Sequence, residues 1–172
     1  DILKEWNLHA YSMNFIGANP DVKVSAIDVL PETYNYFHGN DESKWASNVH
    51  AYRLVQYENL FEGVDMEIYA SFQNLKYDFK VAPWAGTKHI KIDYEGVDHL
   101  KLVDGNLVVQ LSNGSLQELA PVSYQEIDGK RVNVKTEYVL DGTTLSFKFP
   151  DGYDQRYELV IDPTWVFSTL TG

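Results

Sequence analysis

The chain reads as an all-β protein, an antiparallel β-sandwich or stacked β-meander with hairpins and little helix. Three observations predict it. Apolar and polar residues alternate along much of the sequence, Asn-Gly and Asp-Gly dipeptides recur between the alternating runs, and no segment carries an apolar stripe at helical spacing. Alternation at a period of two sends one set of side chains to a buried face and the other to water, as a strand requires. Asn or Asp followed by Gly supplies the positive φ angles of tight hairpin turns.

The first alternating run is Tyr11, Met13, Phe15. From about Asn19 to Ser47 the pattern lapses around Pro20 and Pro31, so a long connection is expected there, with at most a turn of helix between Asp41 and Ser47. Val64, Met66, Ile68 and Ala70 then alternate with Asp65, Glu67 and Tyr69. In Leu75-Lys76-Tyr77-Asp78-Phe79-Lys80-Val81 every odd position is apolar and every even one charged, and the link Ser71-Phe72-Gln73-Asn74 makes these two runs a hairpin. The period continues in Ile90/Ile92/Tyr94, Leu107/Val109/Leu111, Val132/Val134/Thr136/Tyr138 and Leu145/Phe147/Phe149. Asp104-Gly105, Asn113-Gly114, Asp128-Gly129, Asp141-Gly142 and Asp151-Gly152 punctuate this half as turns. The result is roughly ten strands, with Tyr77, Phe79, Val81, Ile92, Val109, Val134, Phe147 and Ile161 in the core.

Its 172 residues suffice for one domain with its own hydrophobic core. Residues 1–162 read as that single β-rich domain, short of part of its N-terminal flank, and 163–172 as the start of a following segment. Lys plus Arg total 14 against 25 for Asp plus Glu, and the resulting net charge of −11 repels nucleic-acid phosphates and anionic membrane surfaces. An apolar share of 44% with 14% aromatics is that of a folding chain, not a disordered one. Cysteine is absent, which removes disulfides, thiolate metal sites and cysteine nucleophiles. No apolar run is long enough to insert into a membrane as a helix.

Catalytic chemistry finds little purchase. His9, His38, His50, His89 and His99 show no metal-ligand spacing and read as ordinary histidines, so no metal site is expected. Asn40-Asp41-Glu42-Ser43 is the nearest approach to a calcium loop and reads better as a helix cap. Asp65, Glu67 and Asp78 could act as paired carboxylates on a glycosidic bond, and then one of them should sit in a cleft with a strongly raised pKa. Their place opposite the apolar positions reads instead as a wet sheet face, with Lys76 and Lys80 as cross-strand partners. No nucleophile elbow, phosphate loop or dinucleotide fingerprint occurs, so neither a catalytic residue nor a cofactor is expected.

The candidate ligand-binding residues are Tyr34, Tyr36 and Trp45, in an aromatic run with Phe37 and His38. Aromatic faces beside amide and carboxylate groups can stack on sugar rings. A binding role requires these side chains to be exposed and roughly coplanar; the competing, favoured reading is that they pin a long loop to the core. Asn113-Gly114-Ser115 matches the N-glycosylation pattern and is better explained as a turn.

Blocks spread along the chain carry a family resemblance. Tyr34 to Trp45, Asn48-Val49 with Tyr52, Tyr57-Glu58-Asn59-Leu60, Gly63-Val64-Asp65, Tyr77 to Ala85, Ala120 to Glu126 and Leu159-Val160-Ile161-Asp162-Pro163 together resemble the N-terminal domain of unknown function in SBBP (β-propeller repeat) proteins. The resemblance implies a place in a large secreted or surface-exposed bacterial polypeptide, often of Bacteroidetes with type IX secretion or gliding-associated sorting domains. Trp165-Val166-Phe167-Ser168-Thr169 is similar to the opening of the first propeller repeat. It implies no catalytic residues, since the family has none established.

The function expected is therefore that of a non-catalytic structural or adhesive module of a secreted or cell-surface protein. A carbohydrate-binding module using Tyr34, Tyr36 and Trp45 is the alternative, and a carboxylate-dependent glycoside hydrolase a remote one. Expected partners are other domains of the same polypeptide, surface glycans or another protein, without nucleic acid and without membrane insertion.

Overall fold

Tight turns set the architecture. At Asp104-Gly105 and Asp128-Gly129 both residues take positive φ, 51° and 80° in the first and 51° and 72° in the second, the twist-compatible geometry of two-residue hairpins. The computed structural model describes residues 8–71 and 74–167. Thirteen strands occur among them. They are β1 (Ser12–Phe15), β2 (Lys23–Tyr36), β3 (Ala46–Phe61), β4 (Val64–Ser71), β5 (Asn74–Val81), β6 (Lys91–Glu95) and β7 (His99–Val103). Then come β8 (Asn106–Leu111), β9 (Gly114–Ile127), β10 (Lys130–Val134), β11 (Glu137–Asp141), β12 (Thr144–Lys148) and β13 (Leu159–Phe167). A single 3₁₀ turn, Glu42–Lys44, lies in the helical window expected, capped by the Asp41 carboxylate accepting from the Ser43 N–H at 3.1 Å.

These form two antiparallel sheets. The smaller has the order β1-β6-β12-β11, the larger β2-β3-β4-β5-β13-β9-β8-β7 with β10 beside β9. Phe79 of β5 meets Phe15 of β1 edge-on at 6.3 Å between ring centroids and Phe147 of β12 at 5.9 Å, so the sheets face each other across an aromatic core. All eight residues assigned to the core from sequence are buried, Phe79, Ile92, Val109 and Ile161 completely. The protein is an all-β sandwich with hairpins, as its alternation predicts.

Several details differ from the sequence expectation, each for a physical reason. The region from Asn19 to Ser47 is largely not a connection: fourteen of its residues form β2, paired with the sixteen-residue β3 in a long hairpin. Alternation failed as a signal there because residues 31–50 of this hairpin are exposed on both faces. The run from Val132 to Tyr138 is not one strand: it breaks at Lys135-Thr136, where the chain leaves the larger sheet (β10) for the smaller (β11). The Asn113-Gly114 and Asp141-Gly142 hairpins turn one residue away from the dipeptide, since Leu111 pairs with Gly114 and Asp141 with Thr144. Asp151-Gly152 lies in the loop before β13 and turns no hairpin. The β3–β4 turn uses Gly63 at φ 69°, where an added Cβ would come within 2.7 Å of the Ala85 Cβ, so only glycine fits.

The β4–β5 hairpin is as expected, Ser71 pairing with Asn74, although residues 72–73 of the link lie outside the described ones. Pairing of β13 with β9 continues past Asp162 as far as Phe167, while Ser168 and Thr169 of the segment likened to a propeller repeat also lie outside them. Among the described residues no helix is long and apolar enough to cross a membrane.

Candidate functional site

Among the described residues, the end of the β2–β3 hairpin is an arm with no second layer over it. Tyr34, Tyr36 and Trp45 sit near its tip and are 50%, 47% and 39% exposed, beside Phe37 at 61%. They do not anchor a loop to the core: residues 31–50 are all exposed and none belongs to the core cluster. Tyr36 stacks on His38, with ring centroids 6.4 Å apart and planes 7° from parallel, while Trp45 meets Phe37 edge-on at 81° and donates its indole N–H to the Gly39 carbonyl at 3.1 Å. The exposure that binding requires is present; the ring geometry is that of two separate pairs.

Tyr34 belongs to a different feature. It lines an open groove of about 1150 Å³ between the arm and the outer face of the larger sheet, with Ile27 and Tyr52 on the arm side and Tyr69, Asp78 and Tyr124 on the sheet side. Tyr36 and Trp45 are not part of it. Asp28 and Arg53 brace the arm through an ion pair at 3.1 Å.

Of the carboxylates singled out from sequence, Glu67 and Asp78 line the groove and Asp65 does not, and they are separated by role. Asp65 accepts the Asn59 N–H at 2.6 Å and shapes the β3–β4 turn. Glu67 holds Lys80 at 2.6 Å, as cross-strand pairing suggests. Lys76 pairs not with these residues but with Asp162 of β13, at 2.8 Å. Asp78 is 9% exposed, so this part of the face is not wet. Its carboxylate accepts the Tyr69 hydroxyl at 3.1 Å. Burial, with Asp162 close by, pushes the Asp78 carboxyl up to about 6. Burial and the Asp78 charge likewise raise the Tyr69 hydroxyl.

A second carboxylate lies deeper and escaped sequence reasoning. Glu118 of β9 is fully buried between the sheets and accepts hydroxyl hydrogen bonds from Tyr77 at 2.8 Å, Tyr138 at 2.5 Å and Tyr94 at 3.2 Å. Burial lifts its carboxyl to about 7 against the opposing pull of the three hydroxyls. The same burial and the Glu118 charge raise all three tyrosines well above their ordinary value. The only sequence signal is a Glu two residues after Leu116 on the inward face. A register shift of β13 against β9 between Asp162 and Thr164 hides it by changing which positions of β9 face inward.

The histidines go separate ways. His9 donates from Nε2 to the Gly96 carbonyl at 2.6 Å and accepts the Ser112 N–H on Nδ1 at 3.1 Å, which ties the N-terminal segment to the sandwich. His89 packs against Phe61 with ring centroids 5.5 Å apart. Among the described residues no three His, Asp or Glu side chains gather in a way that could hold a metal ion.

Fold and site together define a two-sheet antiparallel β domain that carries an aromatic arm and a groove beside it. Residues 2–164 match the model of DUF7948, a domain of unknown function, and the chain belongs to that family. No curated protein and no solved structure matches it.

Proposed function

We propose that this domain is a non-catalytic adhesive or spacing module of a large secreted or cell-surface bacterial protein, presenting its β2–β3 arm to a partner. The observation that carries the reading is the exposure of Tyr34, Tyr36, Phe37 and Trp45 on an arm that the sandwich does not need for its core. Contiguous exposed apolar surface marks interaction sites. The resemblance to SBBP repeat proteins supports the cellular placement, with neighbouring domains, surface glycans or another protein as partners. Asp78 has the raised carboxyl in a groove that hydrolysis would require of one residue; against that reading stand its neighbours, Glu67 and Asp162 each engaged by a lysine and Asp65 turned to the Asn59 N–H outside the groove.

Carbohydrate binding through Tyr34, Tyr36 and Trp45 is the second reading, favoured by their exposure. A glycan-array screen of the domain beside a Tyr34→Ala/Tyr36→Ala/Trp45→Ala variant of unchanged circular dichroism separates the two. Saturable binding lost in the variant establishes the lectin-like reading; no glycan bound by the intact domain leaves adhesion to protein or spacing.

A further inference from the structure

Among the described residues, Lys76 with Asp162 is the one ion pair whose side chains are both only 19% exposed. Lys76 Nζ lies 2.8 Å from one carboxylate oxygen and 3.0 Å from the other. A nitrogen that near to both oxygens stands about 3 Å from the carbon between them, within the distance from which reacting atoms can meet. A third group completes the cluster. The β5–β13 register, Ile161 with Phe79 and Thr164 with Lys76, sets Asp162 directly across from Asp78, and Glu67 faces Asp78 from the β4 side. Directly opposed side chains start from Cβ atoms about 5 Å apart. Asp78 is thus surrounded by Glu67, Asp162, Lys76 and Tyr69, with Lys80 beyond Glu67, and its own partner is a hydroxyl, not a lysine.

We propose that Lys76 and Asp162 condense into an intramolecular amide that cross-links β5 to β13, with Asp78 as the acid that carries the proton. The step balances without a co-reactant. The Lys76 ammonium passes a proton to the Asp162 carboxylate that it touches. The freed amine nitrogen bonds to Cγ of Asp162. The Asp78 carboxyl gives its proton to one oxygen on that carbon, the C–O bond breaks, and the oxygen leaves as water. Asp78 then recovers a proton from the nitrogen. An ammonium and a carboxylate have become an amide and water, with no change of net charge and no electron transferred. Burial, with Asp162 close by, raises the Asp78 carboxyl to about 6, so that a minority of molecules hold its proton at neutral pH and most do below pH 6, which suits it to that role. The product ties together residues 86 positions apart in two central strands.

Intact-mass measurement of the purified, denatured chain is the first test. The proposal expects a mass one water lighter than the sequence, a branched peptide joining the Lys76 and Asp162 segments, and faster migration on a denaturing gel than Lys76→Arg, which should have its full mass. Aspartate-glycine sites lose the same mass as succinimides, so the branched peptide is what decides. The full sequence mass in folded wild-type protein, or water loss mapped away from these two residues, overturns the cross-link. A complete cross-link in Asp78→Asn overturns the part given to Asp78.

Discussion

Tyrosine does opposite things in the two halves of this molecule. In the sandwich Tyr77, Tyr94 and Tyr138 are buried and turn their hydroxyls onto Glu118. On the arm Tyr34, Tyr36 and Tyr52 stand 44% to 50% exposed in strands of the same antiparallel kind. The difference is the second layer. Where the smaller sheet covers the larger, alternate side chains are buried and must satisfy every polar atom they bring. Beyond its edge, β2 and β3 are held by backbone pairing to each other, and their side chains are free to meet a partner. Stability should therefore reside in the sandwich and recognition in the arm.

The sharpest way to break this contrast is a cavity in the sandwich. Phe79→Ala removes a ring that contacts both sheets and should cost about 3–5 kcal/mol in denaturant unfolding. A loss below about 1 kcal/mol would mean that the layers do not pack as described.

The next effect follows pH. Glu118 titrates near 7 in the folded protein against an ordinary value of 4.5, so the folded state binds this proton more tightly than the unfolded chain. Its contribution is therefore most favourable at or below pH 4.5 and is lost as pH rises through 7, by on the order of 3 kcal/mol. Asp78, raised from 3.8 to about 6, acts in the same direction over its own window. Urea midpoints between pH 5 and 8 should fall for wild type and flatten in Glu118→Gln. An unchanged slope in that variant would remove Glu118 as the cause.

The smallest effect belongs to the arm. The same triple substitution proposed for the glycan screen should move the thermal midpoint little, within about 0.5 kcal/mol per site, because no core contact is lost. A large loss would make the arm part of the folding unit and dissolve the comparison.

How far this was legible in the sequence varies with burial. Phe79 and Ile92 announced themselves because a covered strand must alternate, and turns such as Asp128-Gly129 because few other residues tolerate positive φ. The hairpin from Lys23 to Phe61 was invisible: periodicity records the contrast between a dry and a wet face, and its distal half has none. At the candidate site, the aromatic run from Tyr34 to Trp45 could be seen, but not which ring would enter the groove. Tyr34 does, because β2 pairs with β3, which is in turn paired with β4; Tyr36 and Trp45 belong to the tip.

What the amino-acid order determined by itself was local: which residues alternate, where the chain must turn, and that the protein is all-β. The tertiary structure alone decided which polar groups met. Glu118 faces three tyrosines from β5, β6 and β11, and Asp78 faces Asp162 from the last strand, across separations in the chain that no local pattern encodes. The cause is that strand order and register are set by the global burial of apolar faces, and a buried carboxyl titrates according to the neighbours that this assembly gives it.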